Sequence, residues 1–133
     1  MATLLGFDFG PRKIGVAVGQ TITGSASPLT TLRSRERRPD WHLIETLVRD
    51  WQPSALVVGL PYNMDDTEAE WAAAARRFAR QLQARFGLAV HLVDERLTSI
   101  EARRQLGRGA DSLAVVDAMA ARLILETWLG EQH

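Results

Sequence analysis

Acidic residues are the part of this sequence that could do chemistry. Asp8 stands near the end of a short apolar run, Leu4-Leu5-Gly6-Phe7-Asp8-Phe9, with an aromatic residue on either side. In an extended chain, alternation puts it on the face opposite to both aromatics. Asp94 and Glu95 directly follow a second apolar run, Val90-His91-Leu92-Val93, with Asp94 lying 86 positions beyond Asp8. Asp117 belongs to a helical pattern. With Leu113 at zero and 100° per residue, Val116, Ala120, Leu123 and Ile124 form one apolar stripe, and Asp117 falls inside it at about 40°. A carboxylate on a buried face is costly unless its charge is compensated. Arg122 and Glu126 take the polar face, and Ala114, Ala118, Ala120 and Ala121 leave room around the acid. The competing role for Asp117 is a salt bridge to a distant arginine. For Asp94 or Glu95 it is a turn or helix-flanking carboxylate.

Separated acids that converge, with no cysteine and no plausible histidine cluster, describe an oxygen-ligand site suited to Mg²⁺ or Mn²⁺ rather than zinc. Such a site supports phosphoryl transfer, in which a pair of ions about 4 Å apart activates water and stabilises the leaving oxygen. His42 and His91 read as structural, the latter as a solvent-facing strand residue, and His133 is terminal.

These acids need a scaffold, and the chain has the size for one. Its 133 residues suit a single domain, 1–133, with 46% apolar and 24% charged residues, a soluble globular profile. The absence of cysteine excludes disulfides, thiolate catalysis and cysteine-ligated metals. No basic leader or long apolar stretch precedes Asp8, so the expectation is a cytoplasmic protein without a membrane span. Sixteen basic residues balance sixteen acidic ones, and Lys13 is the only lysine. Arginine suits bidentate phosphate contacts, although a GC-rich genome produces the same bias. The arginines cluster at 33–38, 76–85 and 103–108. Local clusters matter for a phosphate track even when the total balances.

The first thirty residues read as three strands: Leu4 to Phe9, Ile14 to Val18, and a weaker one from Gly24 to Leu29. Short turns between them imply an antiparallel meander. Trp41, Ile44, Leu47, Val48 and Trp51 recur at helical spacing, and Pro53 ends that helix. Ala55 to Leu60 reads as a strand buried on both faces. Thr67-Glu68-Ala69-Glu70 is a capping box opening a helix that buries Trp71, Ala75, Phe78, Leu82 and Phe86 and stops at Gly87. Val90 to Val93 reads as another buried strand. A second capping box, Thr98-Ser99-Ile100-Glu101, starts a short helix broken near Gly107 and Gly109, and Asp111 or Ser112 caps a last helix to about Trp128. The order β-β-β-α-β-α-β-α-α predicts an α/β fold with a five-stranded mixed sheet. A three-strand antiparallel meander is joined by two parallel strands, with helices on both faces. Ligands in such sheets gather at the carboxyl ends of the parallel strands, where Asp8 and the Asp94-Glu95 pair both lie.

Four ordered blocks resemble the YqgF family. They are Gly6-Phe7-Asp8-Phe9-Gly10 continuing through Lys13 to Val18, Gly59 to Asp65, Val93 to Ala102, and Asp117 to Ala121 followed by Ile124-Leu125-Glu126. The likeness spans about Leu4 to Leu129. It implies an RNase H-like fold related to the RuvC Holliday junction resolvases. It also implies an acidic triad carried by Asp8, Glu95 and Asp117 as catalytic residues and metal ligands, and a role in maturing the 5′ end of 16S rRNA. Pro11 stands where the family usually has threonine, and the segment from Gly107 to Val116 is short, with Arg108 its one basic residue.

The reading is thus a Mg²⁺- or Mn²⁺-dependent nuclease acting on pre-16S rRNA, as a monomer or homodimer. Branched DNA is the alternative substrate, and a non-catalytic RNA-binding assembly factor is the alternative role. Half of an actin-like ATPase also fits Asp8-Phe9-Gly10 and Gly15, but that fold needs two lobes and the chain is too short. Candidate phosphate contacts are Arg12 and Lys13 in the turn beside Asp8, Arg96 beside Glu95, and Arg76, Arg77 and Arg80 on the second long helix. A solvated face is the competing reading of the last three.

Overall fold

Strand β1 (Thr3–Phe9) is buried along most of its length because it has a strand on either side and helices over both faces. The computed structural model describes residues 2–10, 12–36, 38–60, 72–94 and 113–132, with side chains of the last stretch described from 118. Besides β1 these contain β2 (Lys13–Gln20), β3 (Ser25–Arg33), α1 (Trp41–Trp51), β4 (Ala55–Leu60), α2 (Ala72–Phe86), β5 (Ala89–Asp94) and α3 (Leu113–Glu131). The sheet order is β3-β2-β1-β4-β5. Pairs β1–β2 and β2–β3 are antiparallel, whereas β1–β4 and β4–β5 are parallel. This is the mixed sheet the element order predicts. The expected short helix after Thr98, the capping box at Thr67 to Glu70, Trp71, and the Asp111 or Ser112 cap lie outside the described residues.

The two faces are packed by different means. Leu5, Phe7 and Phe9 on β1, Ile14 and Val16 on β2, and Leu56, Val58 and Leu60 on β4 form one core with α1 and α2. Phe78 of α2 is its hub, with ring centroids 5.6 Å from Phe7, 5.0 Å from Phe9 and 5.6 Å from Trp41. Offset and edge contacts of this kind add to the area that the aromatic rings bury. The other face carries Leu4, Ala17, Val57 and Val93 beneath Ala121, Ile124, Leu125 and Leu129 of α3.

Two strands differ from their sequence reading. β3 runs to Arg33 rather than stopping at Leu29, because Thr30, Thr31 and Leu32 continue the pairing with β2 past a bulge between Val16 and Ala17. Pro28 stands opposite Ala17 at that irregularity, on an edge strand that tolerates its missing donor. β5 is not a buried strand but the opposite edge of the sheet. Of its residues only Val93 is buried, and Leu92 is 42% exposed. The apolar run alone could not distinguish an edge from an interior position.

Helix α1 begins at Asp40, whose carboxylate accepts from the Leu43 N–H at 3.2 Å, a standard cap. It ends at Gln52, left-handed at φ 46°, with its N–H donating to the Val48 carbonyl at 2.9 Å and Pro53 barring further turns. A side chain in this conformation meets its own carbonyl at a cost of about 1–2 kcal/mol. Glycine avoids that clash but adds freedom to the unfolded chain, worth about 0.4–1 kcal/mol. Gln52→Gly is therefore expected to raise stability by about 0.5–1 kcal/mol, read as an increase of about 2–4 °C in Tm. An unchanged or lower Tm would contradict this account of the helix end.

Candidate active site

The face under α3 is floored with small residues. A Cβ on Gly6 would lie 2.9 Å from the Leu125 Cβ and 3.2 Å from the Ala121 carbonyl oxygen. On Gly19 it would meet Leu125 and Leu129 at 2.9 and 3.1 Å, and on Gly59 it would collide with the Ile124 side chain. Glycine within a strand weakens it locally but lets another element approach closely. Here that element is α3.

Strand alternation assigns Asp8 to this same face, two residues beyond Gly6 and four beyond Leu4. Its directly paired neighbours are Gly15 on β2 and Gly59 on β4, so neither flanking position carries a side chain. Asp8 is half-buried. The glycine pair was not singled out from sequence, although glycines in the middle of apolar strands are the signal that could have found it.

The contacts of α3 fix its direction. Leu129 reaches Gly19, which pairs with Leu4, while Ile124 reaches Gly59, which pairs with Asp8. Travelling from Leu129 toward its N-terminus, α3 therefore runs toward the carboxyl end of β1. Asp117 is a residue of this helix, four positions before Ala121, and its side chain lies outside the described residues. Arg122 and Glu126 of α3, both half-buried, pair at 2.8 Å, as their spacing predicts.

Asp94 ends β5 opposite Leu60, and Leu60 belongs to the core with α1 and α2. Asp94 thus has the strand parity opposite to Asp8, whereas Val93, level with Gly59, shares the face of Asp8. Glu95 and Arg96 lie outside the described residues. Among the described residues no three carboxylates or histidines gather as a metal-binding group.

The basic residues divide between the two sides. In the turn after β1, the Gly10 N–H donates to the Lys13 carbonyl at 3.0 Å, and a Cβ on Gly10 would meet that oxygen at 2.9 Å. Arg12 is exposed, and Lys13 has the parity of Gly15, on the face of Asp8. α2 instead covers the opposite face. Because it joins two parallel strands, its first turns, with half-buried Arg76 and exposed Arg77, lie toward the carboxyl edge, and exposed Arg80 follows a turn later. His91 is not the solvent-facing residue expected. It stacks on Trp128 of α3 with centroids 4.6 Å apart, because the edge strand turns this position under the helix.

The arrangement of strands and helices is that of RuvC-like nucleases with an RNase H fold. The Fowlpox virus Holliday junction resolvase matches with a TM-score of 0.59 at 8% identity, covering 98% of this chain and 99% of the other. T. thermophilus RuvC in complex with Holliday junction substrate matches with a TM-score of 0.57 at 15% identity, covering 98% and 95%. At such identities the likeness concerns the fold. In sequence, the family model RuvX, described as Holliday junction resolvase, matches residues 2–131, and the chain belongs to this RuvX (YqgF) family. A protein of Nitrosococcus oceani is 54% identical over 133 residues, spanning 98% of this chain and 88% of the relative. One of Pectobacterium carotovorum is 51% identical over 135 residues, spanning 98% and 97%. Both bear the name "Putative pre-16S rRNA nuclease".

The seating of α3 on Gly6 can be tested directly. Gly6→Ala places a methyl group against a Cβ and a backbone oxygen, neither of which can rotate away, and overpacking of this kind costs about 1–3 kcal/mol. Thermal melts are expected to show that loss. Leu125→Gly removes that Cβ, so the double variant should lose less than the sum of the two single variants, giving a coupling energy between the two sites. Strict additivity would mean that α3 does not rest on Gly6.

Proposed function

We propose that the chain is a nuclease that hydrolyses RNA phosphodiester bonds in the 5′-end maturation of pre-16S rRNA, with Asp8, Glu95 and Asp117 as its catalytic acids. The observation that carries this reading is the position of Asp8. It stands at the carboxyl end of the central strand, between two glycines, on the face toward which the N-terminal half of α3 is directed. The opposite parity of Asp94 favours Glu95 as the acid contributed after β5, since the next position on an extended strand returns to the face of Asp8. The names of the curated relatives support RNA as the substrate.

The donor set suits a hard divalent cation, because carboxylates are the ligands on offer and the chain has no cysteine. Asp8, Glu95 and Asp117 would hold Mg²⁺ or Mn²⁺, which supplies charge neutralisation at the phosphate and activation of water. The chain's own residues do the remaining work. Asp8 is fixed by a strand paired on both sides, so its carboxylate is presented without reorganisation. Lys13, on the same face and edge, supplies a cation to the substrate backbone, joined by Arg12 and Arg96. Arg76, Arg77 and Arg80 serve a stretch of the strand that has passed over the edge toward α2. The whole of 1–133 acts as one domain, as a monomer or homodimer in the cytoplasm. Among the described residues no helix is long and apolar enough to cross a membrane.

Branched DNA is the second substrate reading, favoured by the description of the family model and by the resolvase folds that match. Cleavage of matched single-stranded RNA, single-stranded DNA and four-way junctions with Mn²⁺ separates the two. Preference for the junction by an order of magnitude or more would overturn the RNA reading.

Asp8→Asn is expected to abolish Mn²⁺-dependent cleavage while keeping or raising RNA affinity, since it removes a negative charge near phosphate. Loss of one ligand should lower the rate at least several hundred-fold, about 3 kcal/mol or more of transition-state stabilisation. Full rRNA maturation in cells carrying only Asp8→Asn would defeat the nuclease reading. A second variant addresses the acids themselves. Carboxylates brought together without a cation repel one another. Asp117→Asn should therefore leave the metal-free protein as stable as before or more so, and weaken Mn²⁺ binding in calorimetry. A large drop in Tm without metal would point to a salt bridge instead.

A further inference from the structure

Like charges that a fold pairs face to face call for an explanation, and this sheet has two such pairs at one corner. Lys13 at the start of β2 is directly opposite Arg33 at the end of β3. Two residues on, Arg35 and Arg38 form an isolated antiparallel bridge, exchanging backbone hydrogen bonds of 3.1 and 2.8 Å. Cross-strand neighbours have Cβ atoms about 4.5–5.5 Å apart, and like charges there destabilise the pairing. The tight turn joining Arg35 to Arg38 adds strain, since Glu36 sits at φ 50°, a region that favours glycine or asparagine. Among the described residues none of the three guanidiniums makes an ion pair within 4.0 Å.

The three arginines line one cleft. With Glu36, Pro39, Asp40 and Trp41 they border an open cleft of about 550 Å³ between the end of β3 and the start of α1. All three arginines are exposed. Of the two carboxylates, that of Asp40 caps α1 through the Leu43 N–H, which leaves Glu36 against the arginines and the adjacent Lys13. The indole of Trp41 is not a free stacking platform. Arg85 lies 4.1 Å from its ring centroid, and Phe78 packs against it at 5.6 Å. The cleft therefore offers charge without an aromatic surface for a base.

Its position connects it to the acids. β3 runs parallel to β1, so Arg33 and the turn beyond it lie at the same edge of the sheet as Asp8. Two strand spacings separate β3 from β1, about 10 Å. Lys13 stands between them on the face of Asp8. We propose that the Arg33-Arg35-Arg38 cleft is a second, sequence-independent contact for the sugar-phosphate backbone of a nucleic-acid substrate, which Lys13 links to the acidic centre. The proposal rests on the nucleic-acid reading of that centre and extends it to residues the reading did not use. Phosphate oxygens relieve the repulsion that the bare fold carries, and contacts of this type fix register without reading bases. The strained turn and the paired cations are then conditions of binding rather than of folding.

The test compares the wild type, the triple variant Arg33→Gln/Arg35→Gln/Arg38→Gln, and Arg33→Lys/Arg35→Lys/Arg38→Lys. Fluorescence anisotropy with single-stranded RNA measures affinity across a range of salt concentrations. Each lost phosphate contact lowers the slope of log K against log salt by about 0.7 for a single strand. The glutamine variant is expected to lose about two such units and to bind at least ten-fold more weakly at low salt. Its melting temperature should equal or exceed that of the wild type, and the lysine variant should keep most of the slope. Equal slopes for wild type and glutamine variant overturn the cleft, and Mn²⁺-dependent cleavage by the wild type in the same preparation then leaves the acidic centre standing. A slope that falls for the glutamine variant while the wild type cuts neither RNA nor DNA supports the cleft and removes the nuclease reading. A reduced slope accompanied by a marked loss of Tm, unrescued by lysine, overturns the proposal in favour of a structural role. Binding of poly-glutamate by the wild type, with no change in the RNA slope of the variant, does so in favour of an acidic protein partner.

Discussion

Everything at the acidic edge depends on how closely α3 can approach the sheet. A helix normally rests on a layer of side chains, and its position then shifts with whatever those side chains do. Here Gly6, Gly19 and Gly59 interrupt that layer between Leu4, Val57 and Val93, so Leu125, Leu129 and Ile124 come down close to backbone at those points. Contacts with main chain cannot relax by changing rotamer. α3 is thereby held relative to β1 with the precision that ligands on two separate elements would require.

The opposite face shows the contrast. There the sheet presents Phe7 and Phe9 to Phe78, with Trp41 and Arg85 closing the layer above. This side buries large apolar surface and supplies much of the driving force for folding. β1 serves both purposes because alternate residues face opposite ways. Its phenylalanines join the thick core, while Leu4, Gly6 and Asp8 line the thin one. One strand thus couples the larger apolar core to the molecule's proposed chemistry.

The carboxyl edge carries the corresponding costs. A half-buried acid at Asp8, a left-handed Glu36, and the paired cations Lys13 with Arg33 and Arg35 with Arg38 all lie there. Like charges paired across strands and a left-handed side-chain-bearing residue work against folding. Local choices that work against stability are expected to concentrate where a protein meets a ligand. An anionic polymer with its counter-cations would satisfy both the acidic and the basic halves of this edge.

Much of this was legible in the residues themselves. Helix and strand periods are properties of contiguous residues, so the order of the described elements, the span of α1, the stop of α2 at Gly87 and the placing of Asp8 opposite its aromatic neighbours could be read directly. The four family blocks likewise pointed to the RuvX (YqgF) family, with its RuvC-like fold. Other features exist only between segments distant in sequence. An apolar run is the same whether one strand or two lie beside it, so only the assembled sheet made β5 an edge. Register against β4 gave Asp94 the parity of Leu60 and separated it from Asp8. Pairing also set Lys13 against Arg33, gathered Arg33, Arg35 and Arg38 around one cleft, and sent the α2 arginines to the opposite face. Periodicity tells a residue which way to face. The neighbour it meets there is decided by which strands hydrogen-bond to one another.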